Sequence, residues 1–174
     1  MSLELTLILT FFLVGIPSTL LHFTHEWFKN GILLHTFSAV NESTWEHMKL
    51  YVGPTLLAFI FQFLILNGRY MNIGNSVLVL MIIELVGVPL MYEPLRLTMK
   101  KVPFWITIAI FYIAIILGLI AQYFIYTNMT FYIPDILAII LLIAIPIVFG
   151  IFTFYPPKAT IFKDPISKTY GDKL

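Results

Sequence analysis

Long apolar runs separated by short polar breaks dominate this chain. A helix needs about 20 largely apolar residues to cross a hydrocarbon core of roughly 30 Å. On that measure the pattern predicts spans near residues 3–21, 47–66, 76–92, 102–126 and 133–154. The third is the shortest, with Glu84 in its middle and Pro89 late, whereas the fourth, FWITIAIFYIAIILGLIAQYFIY, carries no charge. Pro17, Pro54, Pro89 and Pro146 fall inside spans, where neighbouring helices can satisfy the freed carbonyl. Between the first two spans, Asn30–Gly31 signals a turn. Ile32, Leu33, Leu34 and Phe37 then form an apolar patch too short to cross, read as an interfacial or re-entrant segment. The expected fold class is all-α: a polytopic transmembrane helix bundle of five spans. It forms one domain over 1–155, followed by a Pro-rich basic tail over 156–174.

Composition strengthens this reading. Of 174 residues, 60% are hydrophobic, 16% aromatic and only 11% charged, with a mean hydropathy of +0.95. A soluble domain carries about 25% charged residues, so much of this surface must face lipid. The lipid bilayer is thus the first expected partner. No dense basic stripe supports nucleic acid binding. Cysteine is absent, which excludes disulfides, thiolate metal sites and Cys nucleophiles. The N-terminus lacks the basic start of a signal peptide, and is read as a retained span.

Charge then orients the bundle. With five spans, one side holds the N-terminus and the loops near 67–75 and 127–132, and carries only Arg69. The other side holds Lys29, Lys49, Arg96, Lys100, Lys101, Lys158, Lys163, Lys168 and Lys173. Cytoplasmic loops carry the excess of Lys and Arg, so the N-terminus is expected outside and the C-terminus in the cytoplasm, in a cell membrane. Trp27, Trp45, Tyr51, Tyr92, Trp105, Tyr126 and Tyr155, near span ends, fit an interfacial aromatic belt. No internal repeat is evident; a homodimer would supply symmetry.

All four histidines lie between His22 and His47, in the stretch HFTHEWFKNGILLHTFSAVNESTWEHMKLY. His22 and His25, at i and i+3, share a helix face, with Glu26 directly after. Imidazoles and carboxylates form a common ligand set for zinc or iron, although HxxHE differs from the HExxH of zinc proteases. Ser43 and Glu46 match a capping box, Asn41 is an alternative cap, and Glu42 suits the positive end of the helix dipole. On the functional reading, Glu42 and Glu46 share a face four residues apart, and His47 lies next to it. Metal ligands would then be His22, His25, His47 and Glu42, with Glu46 or Glu26 as general base and Asn41 and Ser43 completing the polar cluster. The bland reading keeps an interfacial His pair and a helix cap.

Glu84 is a separate candidate for chemistry. A charge at the bilayer centre costs about 2.5–3.5 kcal/mol on insertion scales, so it needs a partner or a proton. The first-helix histidines and Gln62 are the partners considered. Glu93 and Arg96 read as an ordinary ion pair, and Asp135 after Pro134 as a helix start. The tail either lies on the inner leaflet or folds back over the mouth of the bundle.

Three stretches together resemble a known family: His22, Glu26 and Trp27; Phe37, Ser38, Val40, Asn41, Glu42, Ser43, Trp45, Glu46, His47 and Lys49; and Pro156, Pro157, Phe162, Asp164, Pro165, Tyr170 and Gly171. The chain resembles the DUF6512-like group of small polytopic membrane proteins of unknown function, from Firmicutes. That resemblance covers the whole chain and implies a bacterial cell-membrane protein, with no activity or cofactor attached. The residues leave three functions open: an intramembrane metal-dependent hydrolase, with a divalent metal such as zinc; a small proton- or cation-coupled transporter component; and a non-catalytic scaffold subunit. No G-x-S-x-G or P-loop motif competes.

Overall fold

The first helix, α1 (Leu3–Trp27), begins at Ser2, whose hydroxyl accepts from the Leu5 amide. Thr6, Thr10, Val14 and Ser18 form one fully buried face, while Leu5, Ile8, Phe12, Ile16 and Leu20 are exposed. Small and polar residues inward with large apolar residues outward is the arrangement of a helix packed in lipid. The computed structural model describes residues 1–28, 31–128 and 133–171, and the side chains of these apart from 25, 26, 32 and 33. Among the described residues every element is helical: α1, then α2 (Ile32–Phe37), α3 (Thr44–Lys49), α4 (Val52–Leu66), α5 (Ile73–Thr98), α6 (Phe104–Asn128), α7 (Asp135–Phe154) and a 3-10 turn at Thr160–Phe162.

Among the described residues, five segments are long and apolar enough to cross a membrane: Leu3–Thr24, Thr44–Leu66, Ile73–Thr98, Phe104–Asn128 and Asp135–Phe154. This agrees with the expected all-α multi-pass bundle. The second segment is α3 and α4 nearly end to end. Pro54 has no N–H for the Leu50 carbonyl and its ring crowds that group, so the helix breaks at Leu50–Tyr51, where the Tyr51 amide bonds Met48 instead.

The third span departs from expectation. It is a helix of 26 residues rather than the shortest span. At its start, Asn75 and Ser76 look like loop residues but are fully buried. Asn75 exchanges hydrogen bonds of 2.9 Å with the backbone of Ile133 and donates to Asp135 at 2.7 Å, fastening the start of α7. At its end the helix runs on through Pro94. Helix α5 is the most buried of the five and packs on α3, α4, α6 and α7. Its approach to α6 is close because Gly118 faces the Leu80 backbone; a Cβ there would meet the Leu80 side chain at 2.5 Å and its carbonyl at 3.3 Å.

The aromatic belt is corrected in part. Trp27, Trp105 and Tyr155 are exposed, but Tyr51 and Tyr126 are buried. The Tyr51 hydroxyl donates to the Phe111 carbonyl and that of Tyr126 to Gln62, so both serve the interior. The tail folds back onto the bundle. Phe162 is buried against Trp45, which also stacks on Phe149 at 4.1 Å. Asp164 caps the turn that follows, accepting from the Ile166 amide and the Ser167 hydroxyl.

Candidate functional site

The site grows from the approach to α3. Residues 38–43 are not helical, and α3 begins only at Thr44, with the Ser43 hydroxyl accepting from the Glu46 amide at 3.3 Å. Glu42 therefore lies outside the helix, and the expectation that Glu42 and Glu46 share a helix face is corrected. Only half of the capping box forms. The Glu46 carboxylate bonds the Val40 amide at 3.1 Å, while the Ser43 amide donates to Asn41 Oδ1 at 2.9 Å. Asn41 also donates to the Gly171 carbonyl at 3.3 Å, tying this turn to the tail.

One result is a cluster of three ligand groups. His22 of α1, Glu42 and His47 of α3 each point one ligand atom at the others, all within 4.8 Å. The His22 and His47 rings stand 5.2 Å apart between centroids. His47 Nε2 lies 3.5 Å from Glu42 Oε2, close to the roughly 3.4 Å between neighbouring ligand atoms on a tetrahedral zinc with bonds near 2 Å. His47 Nδ1 is 2.9 Å from the Ser43 carbonyl. A carbonyl only accepts, so Nδ1 carries the proton and, in the neutral ring, Nε2 is a lone pair. This is the outer-sphere bond that fixes the tautomer of a metal-binding histidine. A lone pair and a carboxylate oxygen facing each other call for a positive charge between them, whether a metal ion or a proton on Nε2.

The remaining sequence candidates part company here. His25 and Glu26 have side chains outside the described set, so their place relative to the cluster is not part of it. Glu46 turns away from His47 into the interior. It is fully buried and paired with Lys49, and it accepts from Thr153 at 3.3 Å. Lys49, also buried, donates to the His35 carbonyl at 2.7 Å and to Thr153 at 2.8 Å. Glu84 is fully buried in α5 and accepts from Thr55 at 2.7 Å. Its other oxygen has no hydrogen-bond partner among the described residues. Neither expected partner of Glu84 is the bonded one: Gln62 instead pairs amide to amide with Gln122 and joins Thr10 and Tyr126.

The cluster opens on a cleft of about 640 Å³ between α1, α3, α5 and the start of α6, within the range of ligand sites. Sequence reasoning missed part of its lining. Arg96, Lys100 and Lys101 line the cleft too, with Arg96 held by Glu93, which also accepts from Thr44 at 2.6 Å. The expected Glu93–Arg96 pair is present, but its position beside the histidines had no signal in the sequence, since some fifty residues separate the two.

A model of a family of unknown function matches residues 3–172. The chain belongs to the DUF6512 family. Comparison with curated proteins finds no match, and neither does comparison with solved structures. Membership of DUF6512 agrees with the resemblance read from the motifs and brings no activity with it, so the chemistry rests on the side chains just described.

Proposed function

We propose that this protein is a metal-dependent hydrolase of the membrane, with His22, His47 and Glu42 as the metal ligands. The observation that supports this is the convergence of those three groups, from two separate segments, at the mouth of a cleft. Two histidines and one carboxylate, with a fourth position left open, make up the ligand set of many catalytic zinc sites. A divalent metal there would supply Lewis acidity and a nucleophilic hydroxide near neutral pH. Ser43, through its carbonyl, holds the His47 ring so that Nε2 is the ligand, and the cleft wall positions the substrate. We place this end of the bundle on the cytoplasmic side, because nine of the ten Lys and Arg residues fall on it by sequence.

The test is the metal content of the full-length protein purified in mild detergent, beside the His22→Ala/His47→Ala variant folded to the same extent. Near-stoichiometric zinc, iron or manganese in the parent and its loss in the variant is the expected result. A parent protein without metal after growth in metal-supplemented medium removes the proposal.

A second reading, proton- or cation-coupled transport, is favoured by the half-satisfied Glu84 carboxyl. A pH-driven flux in proteoliposomes that Glu84→Gln abolishes and the histidine variant leaves intact would select it.

A further inference from the structure

The lining of the cleft combines two kinds of charged group, and the combination points to a class of ligand. It includes His22, Glu42 and His47 together with Arg96, Lys100 and Lys101, at and just beyond the end of α5. Among the described residues, the acids nearby are engaged: Glu93 with Arg96 and Thr44, Glu42 with His47. Lys100 and Lys101 are exposed and lie beyond the last turn of α5, so the rim keeps a surplus of positive charge. Much of the remaining lining is apolar, Leu50, Val88, Ile108 and Ile110 among it. Farther along α1 and α6, the two helices meet where Thr19 Oγ1 and Tyr112 Oη lie 3.2 Å apart at an exposed position. Phe23, near the end of α1, and Phe104, at the start of α6, are exposed, and both line the cleft.

A groove that is cationic at the level of a span end and apolar over much of its remaining lining matches one kind of molecule in charge and polarity. Resting on the hydrolase reading, we infer that the substrate is a membrane lipid with an anionic phosphate headgroup. Its phosphate sits between the histidine cluster and Lys100–Lys101, and its chain leaves between α1 and α6. A lone-pair cluster with its metal and two ammonium groups would together grip a phosphate. In the hydrolytic step the water oxygen bonds to phosphorus and the phosphorus–oxygen bond to the lipid alcohol breaks. The electron pair leaves on the alcohol oxygen, which takes the proton that the water gives up.

The experiment is native mass spectrometry of the full-length protein from mixed micelles of phosphatidic acid and phosphatidylcholine, with metal content recorded on the same samples. The parent should retain phosphatidic acid in preference. Lys100→Gln/Lys101→Gln, two exposed positions outside the helices, should cut that preference about tenfold or more, since each lysine near an anionic surface contributes on the order of 1 kcal/mol. Metal content in this variant should match the parent. Equal retention of the two lipids by the parent overturns the inference while leaving the metal reading standing. Displacement of the lipid by inorganic phosphate at matched concentration overturns it too, because the site would then read phosphate without its chain. Preference for phosphatidic acid in a protein free of metal supports the lipid site and removes the hydrolase.

Discussion

Two clusters of charge emerge from the same nine residues, Asn41 to Lys49, and they obey different rules. Glu46 and Lys49 turn inward against α7, where every bond they need is met by protein: an amide, a carbonyl, a threonine hydroxyl and each other. Glu42 and His47 turn outward to the cleft and meet His22, with one ligand atom of each within 4.8 Å of the others. The inner cluster is a closed acid–base pair. The outer one gathers two imidazoles and a carboxylate beside a cleft. What distinguishes the two is thus burial and access to the cleft, since both are built from the same residue types.

The largest effect should come from unbalancing the inner cluster. Lys49→Met leaves Glu46 buried without its counter-charge, which costs about 3–5 kcal/mol. Adding Glu46→Gln should recover most of that, because a buried pair replaced as a whole is often nearly neutral. Unfolding titrations in mild detergent read both values. A Lys49→Met loss below about 1 kcal/mol would mean the pair is solvated, and the contrast would disappear.

The outer cluster should respond in the opposite way. Glu42→Gln sits at a half-open mouth and should change stability by no more than about 0.5 kcal/mol. Its effect on metal affinity should exceed the 10- to 100-fold typical of outer-sphere changes, measured by competition with a chromogenic chelator. A variant that is destabilised like Lys49→Met yet keeps its metal would reverse the assignment of the two clusters.

The tail binds the outer turn to the bundle, so its docking can be tested separately. Gly171 has φ +60, and a Cβ there would lie 2.5 Å from the Thr153 carbonyl and 2.7 Å from Pro156. Gly171→Ala should cost about 1–3 kcal/mol of local stability. The readout is faster proteolysis after Lys163 and Lys168, with the spanning helices still protected.

The count of spans was legible in the sequence because lipid imposes a length and a polarity that periodic noise does not mimic. The ends of α5 were not, since Asn75 and Pro94 are loop formers in water and become helical here through bonds to α7 and burial against the bundle. The three ligands His22, Glu42 and His47 were legible as residue types close in sequence. Their separation from Glu46 was not, because it depends on where α3 begins, two residues after Glu42. Arg96, Lys100 and Lys101 were out of reach for a further reason: only the packing of α5 on α3 brings the end of α5 to the cleft.

The smallest effect lies in the interior of the helix bundle and sharpens the comparison most. Gln62, Gln122, Thr10 and Tyr126 form a third polar group, fully or largely buried and, like the inner cluster, supplied with partners. It differs in carrying no charge. Thr10→Val deletes one acceptor of the Gln62 amide and leaves its 3.1 Å bond to Gln122 Oε1 in place. Interhelical hydrogen bonds in membranes average about 0.6 kcal/mol, and the unfolded chain in lipid finds substitutes for them. A loss of that size in the same unfolding titration would place neutral polar fastenings several-fold below charged ones. A loss matching Lys49→Met would instead mean that Gln62 cannot be left half-satisfied, and that the completeness of a network, rather than its charge, sets its strength.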